Sequence, residues 1–188
     1  LDGMRWFHFS GITAALSPAL VDACEAACKV AKEKGVVISC ELNYRKSLWK
    51  PEQANEAMSR LCEYADLGIV SETDAKEVFG IAPAEGVAIN QEAYADVAKQ
   101  LAERFKFSKT AVTLRSLQPA NGSHWSAVLY DSGKHHYAKS YMCAAEPPTS
   151  GENFTAGLIH SVLGGTAPQT TVDFATAAAG LDHAGVEE

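Results

Sequence analysis

Apolar residues recur along this chain in two rhythms, short unbroken runs and stripes at helical spacing, and the two alternate. Trp6-Phe7-His8-Phe9 reads as a short aromatic strand running into Ser10-Gly11. Ser17 as N-cap, Pro18 at the first helical position and Gly35 just past the end bracket a helix. Its stripe is Leu20, Cys24, Ala27, Cys28 and Ala31. Residues 36–40 form a continuous apolar run, the pattern of a strand covered on both faces. Pro51 opens a helix over residues 51–64, with Ala54, Ala57, Met58, Leu61 and Cys62 inward. Residues 67–70 give the next buried strand. Ser71 then caps a short helix ending at Gly80, with Asp74 as a capping-box variant. Asn90 caps a longer helix through Phe105 that turns Tyr94, Val97, Leu101 and Phe105 inward.

Past residues 111–114, another strand, the rhythm changes to period two. Residues 124–130 and 135–141 alternate around Asp131-Ser132-Gly133-Lys134, the signature of a hairpin. A turn-rich stretch, residues 146–151, leads into a helix over 153–163, and a last helix covers 171–183. Strands alternating with helices of this length imply parallel βαβ units. The expected fold is therefore a three-layer α/β/α sandwich, doubly wound, with a mostly parallel sheet and an antiparallel hairpin edge. Ligands in such folds bind beyond the carboxyl ends of the strands. That rule selects Ser10-Gly11, residues 41–45 and 71–74, Arg115 onward, and the loop before Asn153.

Composition narrows the function classes. The 188 residues carry a formal net charge of -7 with no basic stripe, which argues against a nucleic-acid grip. No apolar run approaches the ~20 residues of a membrane helix, and the opening LDGMRWFHFSG shows no signal or transit pattern. Five cysteines without pairing rhythm argue against a secreted disulfide framework and read as small core thiols. A soluble, cytoplasmic protein with no nucleic-acid or membrane partner is the expectation. His135 and His136 point to opposite faces of a solvated hairpin edge, and His160 reads as a partnered core or boundary histidine. Neither a Walker A loop, a Gly-x-Gly-x-x-Gly loop nor a Gly-x-Ser-x-Gly elbow is present.

Two of the selected loops carry anion chemistry. Arg45, after the second strand, offers a planar fork for a carboxylate or phosphate, or a surface ion pair. Thr149-Ser150-Gly151-Glu152, at a helix start, aims free N–H groups outward, or is an ordinary N-cap with a first-turn Glu.

At these loops the sequence resembles the ribokinase-like (PfkB) sugar kinases, and among them the 2-keto-3-deoxygluconate kinases. The matching stretches are Trp6 to Thr13, Asn43-Tyr44-Arg45 with Leu48-Trp49, Glu77 to Ile81, Val112 to Arg115, Trp125-Ser126-Ala127 with Tyr130-Asp131, and Phe154 with Ala156-Gly157-Leu158-Ile159. The resemblance implies that residues 1–188 are the C-terminal part of one kinase domain. The first strands, much of the sugar pocket and a β lid that commonly forms a dimer contact would precede Leu1. It implies ATP-dependent phosphorylation of a sugar-acid hydroxyl, with ATP and Mg2+ and a possible homo-oligomer. Glu152 would be the catalytic carboxylate, and Thr149, Ser150 and Gly151 the anion-hole turn. Arg45 would contact the substrate carboxylate or phosphates, helped by Asn43. Arg115 and the loop through Gly122 would lie against the nucleotide, with Ala178 on the adenine side. Ser71 and Asp74 would organise magnesium through water, and Glu188 would contact substrate.

Several of these positions depart from the family pattern. Glu152 stands where Asp is usual, and so does Glu41 before Leu42-Asn43-Tyr44-Arg45. Thr149 and Ser150 replace glycines behind Pro147 and Pro148, Glu146 is the upstream acid, and Ser71 with Asp74 replaces Asn-x-x-Glu. A late Gly-Asp pair aligns with Glu187-Glu188. The same resemblance admits two other readings: a protein that binds a sugar acid or nucleotide without turnover, and a kinase of a neutral sugar.

Overall fold

The computed structural model describes residues 1–118, 122–143 and 150–181. It begins with β1 (Trp6–Ser10), a short α1 (Gly11–Ala15) and α2 (Pro18–Glu33). Then come β2 (Val37–Glu41), α3 (Pro51–Cys62), β3 (Leu67–Ser71), α4 (Glu72–Phe79), α5 (Gln91–Phe105) and β4 (Lys109–Gln118). The chain continues through β5 (Gly122–Asp131), β6 (Lys134–Tyr137), β7 (Tyr141–Cys143), α6 (Ser150–Leu163) and α7 (Pro168–Leu181). Strands β1 to β6 lie side by side in chain order, with β7 also paired to β5. Pairing is parallel from β1 to β4 and antiparallel from β4 onward.

That order corrects one expectation. A doubly wound sheet reverses its strand order and so sends crossover helices to both faces, but among the described residues the order does not reverse. Helices α1 to α5 all pack on one face, around Ile38, Cys40, Val70, Val112 and Leu114. The other face, with Leu67, Ile69, Ala111, Trp125, Ala127 and Leu129, is covered by α6 and α7 through Phe154, Leu158, Val172, Ala175 and Ala179. The three layers stand, but the second helical layer is the C-terminal helix pair. It packs closely: a Cβ on Gly157 would sit 3.1 Å from the Ala175 Cα.

The expected caps form. Ser17, Ser71 and Asn90 each accept a bond from an N–H in the first helical turn. The stripe of α2 is rotated by one position, with Val21 rather than Leu20 joining Cys24, Cys28 and Ala31 in the core. Cys24, Cys28, Cys40 and Cys62 are free and buried. Both C-terminal helices begin three residues earlier than read, α7 with Pro168 in its first turn. The hairpin turns through Ser132 and Gly133 at φ 50° and 84°, the pair of left-handed residues a two-residue type I′ loop needs. Its second arm is not continuous. Past Tyr137 the Lys139 N–H turns to the Asp173 carboxylate at 3.0 Å, and pairing resumes only at Tyr141. His160 is exposed rather than buried, its ring 6.0 Å from that of Phe174. No helix among the described residues is long and apolar enough to cross a membrane.

Candidate functional site

A strand sends alternate side chains to one face, and the last residues of β2 to β4 use this to build a cavity. Glu41 of β2, Ile69 and Ser71 of β3, Thr113 and Arg115 of β4 and Trp125 of β5 all rise on the face that α6 covers. They line a cavity of about 280 Å³ together with Asn43, Arg45, Asp74, Gly151 and Phe154. The site sits where the strand-end rule placed it.

The loop after β2 is held there by three contacts. Asn43 adopts a left-handed backbone at φ 41° and its Nδ2 donates to Ser10 Oγ at 3.4 Å. The Tyr44 N–H donates to Asp74 Oδ2 at 3.1 Å in a buried bond. On the other side Gly11 leaves no room for a Cβ, which would run into the Leu42 carbonyl oxygen. Arg45 is exposed at the rim, with one guanidinium nitrogen 3.3 Å from the Tyr44 carbonyl oxygen.

Asp74 was expected to complete a capping box with Ser71, and it completes only half of one. Ser71 Oγ accepts from the Asp74 N–H at 3.0 Å, but the Asp74 carboxylate crosses to Tyr44. Burial raises the Asp74 carboxyl from its ordinary value, against the lowering effect of the bonds from Tyr44 and Ser71. Among the described residues no group of three or more His, Cys, Asp or Glu side chains is arranged to hold a metal directly. Ser71, Glu72 and Asp74 nonetheless line one cavity with oxygen donors only, a set that suits a hydrated hard cation.

Glu41 and Glu72 are the acids that sequence reasoning left without a role. Glu41 Oε2 accepts from Thr155 Oγ1 at 3.1 Å, and its Oε1 would stand 3.3 Å from a Cβ on Gly151. Its carboxyl is raised, chiefly by burial, with the Glu152 charge adding to the effect. Glycine at 151 thus lets the Glu41 carboxylate approach the first turn of α6 closely, and it does so without a left-handed backbone. Glu72 accepts from the Arg115 N–H at 3.3 Å and is pushed up to about 7, mainly by burial. The strand-end position of Glu41 was a usable signal. Glu72 looked like any first-turn acid of a helix.

The remaining expected residues divide. Asn43, Arg45, Ser71, Asp74, Arg115 and Gly151 converge on the cavity. Glu152 is exposed on the first turn of α6, beside Gly151 and outside the lining. Ala178, half-buried on α7, faces Gly157 of α6 and does not line it. Gly122 pairs with Gln118 at the start of β5, and Ser150 opens α6. Glu146, Pro147, Pro148, Thr149, Glu187 and Glu188 lie outside the described residues, as does the side chain of Ser150.

Among the described residues, two donors of the residues around the cavity have no acceptor: Arg115 Nε and Trp125 Nε1 are buried and unpartnered. Nothing in the sequence marks them, because an orphaned atom is a property of packing.

Residues 4–182 match the pfkB family carbohydrate kinase profile. The chain is 26% identical over 178 residues to a 2-dehydro-3-deoxygalactonokinase of Haloferax volcanii, covering 93% of this chain and 50% of that protein. It superposes with TM-score 0.89 and 40% identity on the crystal structure of a 2-dehydro-3-deoxygluconokinase from Thermotoga maritima, over 97% of this chain and 55% of that one. A PfkB family carbohydrate kinase from Listeria grayi matches with TM-score 0.84 and 29% identity, over 99% and 56%. The chain spans about half the length of the relatives it matches.

Proposed function

Because the chain belongs to the pfkB family of carbohydrate kinases, we propose that it carries the phosphoryl-transfer side of a cytoplasmic, ATP-dependent kinase of a 2-keto-3-deoxy sugar acid. The observation that supports this reading most is the cavity itself. Asn43 and Arg45 of the loop after β2, Arg115 of β4 and Gly151 of α6 come from three separate segments and meet at the carboxyl ends of β2 to β4. Phosphoryl transfer asks a protein mainly for positioning and for donors where charge develops, and this is what such a set offers.

Each residue then has a role. Glu152 accepts the proton of the attacking sugar hydroxyl. The N–H groups of Ser150 and Gly151 at the start of α6 face developing phosphate charge, where a helix start favours an anion, and Thr149 completes the anion-hole turn of the family pattern. Arg45 forks onto the substrate carboxylate or the phosphates, with Asn43 beside it and Glu188 contacting the sugar. Arg115 and Gly122 lie along the nucleotide and Ala178 on its adenine side. Ser71 and Asp74 would hold magnesium through water, with Glu72 adjacent, and the bound ion would supply positive charge against the phosphates.

Coupled ADP release measured on the protein with 2-keto-3-deoxygluconate, ATP and magnesium tests this. Turnover is expected, and Glu152→Gln is expected to lower kcat by about 100-fold or more. A folded protein with no turnover above background overturns the kinase reading. The exposure of Glu152 outside the cavity favours a second reading, a protein that binds the same ligands without turnover. Heat of binding by calorimetry in the absence of ADP release would establish it instead.

A further inference from the structure

A threonine inside a helix can turn its hydroxyl back to the carbonyl one turn earlier, as Thr176 of α7 does to the Val172 carbonyl oxygen at 2.7 Å. Thr155 of α6 does otherwise. It is buried, and its Oγ1 leaves the helix to donate to Glu41 Oε2 of β2 at 3.1 Å. The other oxygen of the same carboxyl, Oε1, stands 3.3 Å from the place of a Cβ on Gly151. Residues 151 and 155 are four apart and so share one face of α6. A single carboxyl from the sheet therefore meets α6 at both ends of its first turn.

Little else from the sheet holds that turn. Apolar packing of α6 begins at Phe154 and continues at Leu158, both fully buried. Ahead of Phe154, Gly151 has no side chain to pack, and Glu152 and Asn153 are exposed. Among the described residues, Glu41 Oε1 is the only atom of another segment within 4 Å of the Gly151 Cβ position. Helix ends without packed side chains open at low cost. The negative end of Glu41 is also well placed in sign, since a helix start favours an anionic neighbour. What this turn carries makes its placement matter, because a shift of about 1 Å at a reacting group can cost about 100-fold in rate.

We propose that Glu41, clasped by Thr155, is a positioning residue that seats the first turn of α6 at the strand-end cavity, and with it Glu152 and the N–H groups of Ser150 and Gly151. For its effect on turnover this rests on the kinase reading, to which it adds two residues that act through α6.

Hydrogen exchange followed by NMR, together with steady-state ADP release, tests the clasp. The Phe154 amide is the probe, because its bond to the carbonyl four residues back closes the first turn. Thr155→Val keeps the shape and removes the donor, and it should speed Phe154 exchange about 10-fold relative to the Leu158 amide. Glu41→Ala, which removes the acceptor from the sheet side, should do the same. Thr155→Ser restores the hydroxyl and should return exchange to the parent rate. In turnover, Thr155→Val should lower kcat about 10-fold while KM for ATP and sugar moves less than about twofold. Added to Glu41→Ala, Thr155→Val should change neither exchange nor kcat further, because the bond is already gone. Unchanged Phe154 exchange in Thr155→Val or in Glu41→Ala overturns the proposal. So does an equal loss in Thr155→Ser, a loss confined to KM, or additive losses in the double variant. A folded parent without turnover removes the kinase reading, and Phe154 exchange then decides the clasp by itself.

Discussion

Asp74 offers the sharpest test of how the site is held. Its Oδ2 takes the Tyr44 N–H at 3.1 Å across a gap closed to solvent, and Asp74 itself is 9% exposed. Through this bond α4 fixes the loop that carries Asn43, in a left-handed backbone, and Arg45. Replacing Asp74 by Ala removes an acceptor and leaves the buried Tyr44 N–H orphaned. The loss is about 2 kcal/mol, the middle of the range for hydrogen bonds to a charged group. Asp74→Asn retains an amide oxygen for the same N–H, so its cost should stay below about 1 kcal/mol. With a urea slope of about 2 kcal/mol/M, the alanine variant should lose about 1 M in unfolding midpoint and the asparagine variant less than half of that. Hydrogen exchange at the Tyr44 amide should accelerate in Asp74→Ala and stay slow in Asp74→Asn. Equal midpoints for Asp74→Ala and the parent, or equal losses for both variants, would refute the pinning argument. The asparagine variant also separates pinning from cation handling. If Asp74 serves only the loop, the magnesium dependence of ADP release survives in Asp74→Asn, and if it also faces a hydrated cation, more magnesium is needed.

Two further outcomes follow from the geometry. Gly151→Ala should leave stability equal or slightly higher, since alanine suits a helix by up to about 1 kcal/mol over glycine, while turnover falls because Glu41 Oε1 must retreat from 3.3 Å. Loss of stability with unchanged turnover, read from melting curves and ADP release, would refute the close-approach argument. On the surface, Glu25 is held down at about 2 by bonds from Lys29, Tyr64 and Arg60, against an ordinary 4.5. A depressed carboxylate stabilises the fold above its unfolded value, and that contribution fades as pH falls from 4.5 toward 2. Glu25→Gln should therefore lower Tm at pH 7 and less so at pH 3, and a pH-independent difference would exclude this linkage.

Much of the fold was legible because its signals are local. Caps at Ser17, Ser71 and Asn90, Pro at helix starts and apolar runs at 36–40 and 67–70 depend on neighbours within a turn or a strand. The sheet's winding was not legible, since strand order is a choice among long-range pairings that each helix and strand permits equally. The burial of His160 was misjudged for a related reason. An apolar helix tells which residues can be covered but not how far its partner reaches, and α7 meets His160 only through the exposed ring of Phe174.

The site divides along the same line. The residue types at strand ends and at the start of α6, Arg45, Arg115 and Gly151 among them, and the resemblance they carry are properties of the chain read in order. Where the Asp74 carboxylate goes, why Gly151 has no side chain, and that Arg115 and Trp125 share a wall of one cavity are not. These depend on segments far apart in sequence: Asp74 meets Tyr44 across 30 positions, and Thr155 meets Glu41 across 114. By itself the sequence determined the alternation of strands and helices, because that is written in local spacing, and it carried the family resemblance in its matching stretches. Only the tertiary structure decided which polar atoms found partners, because a donor is satisfied or orphaned by what packing brings to it.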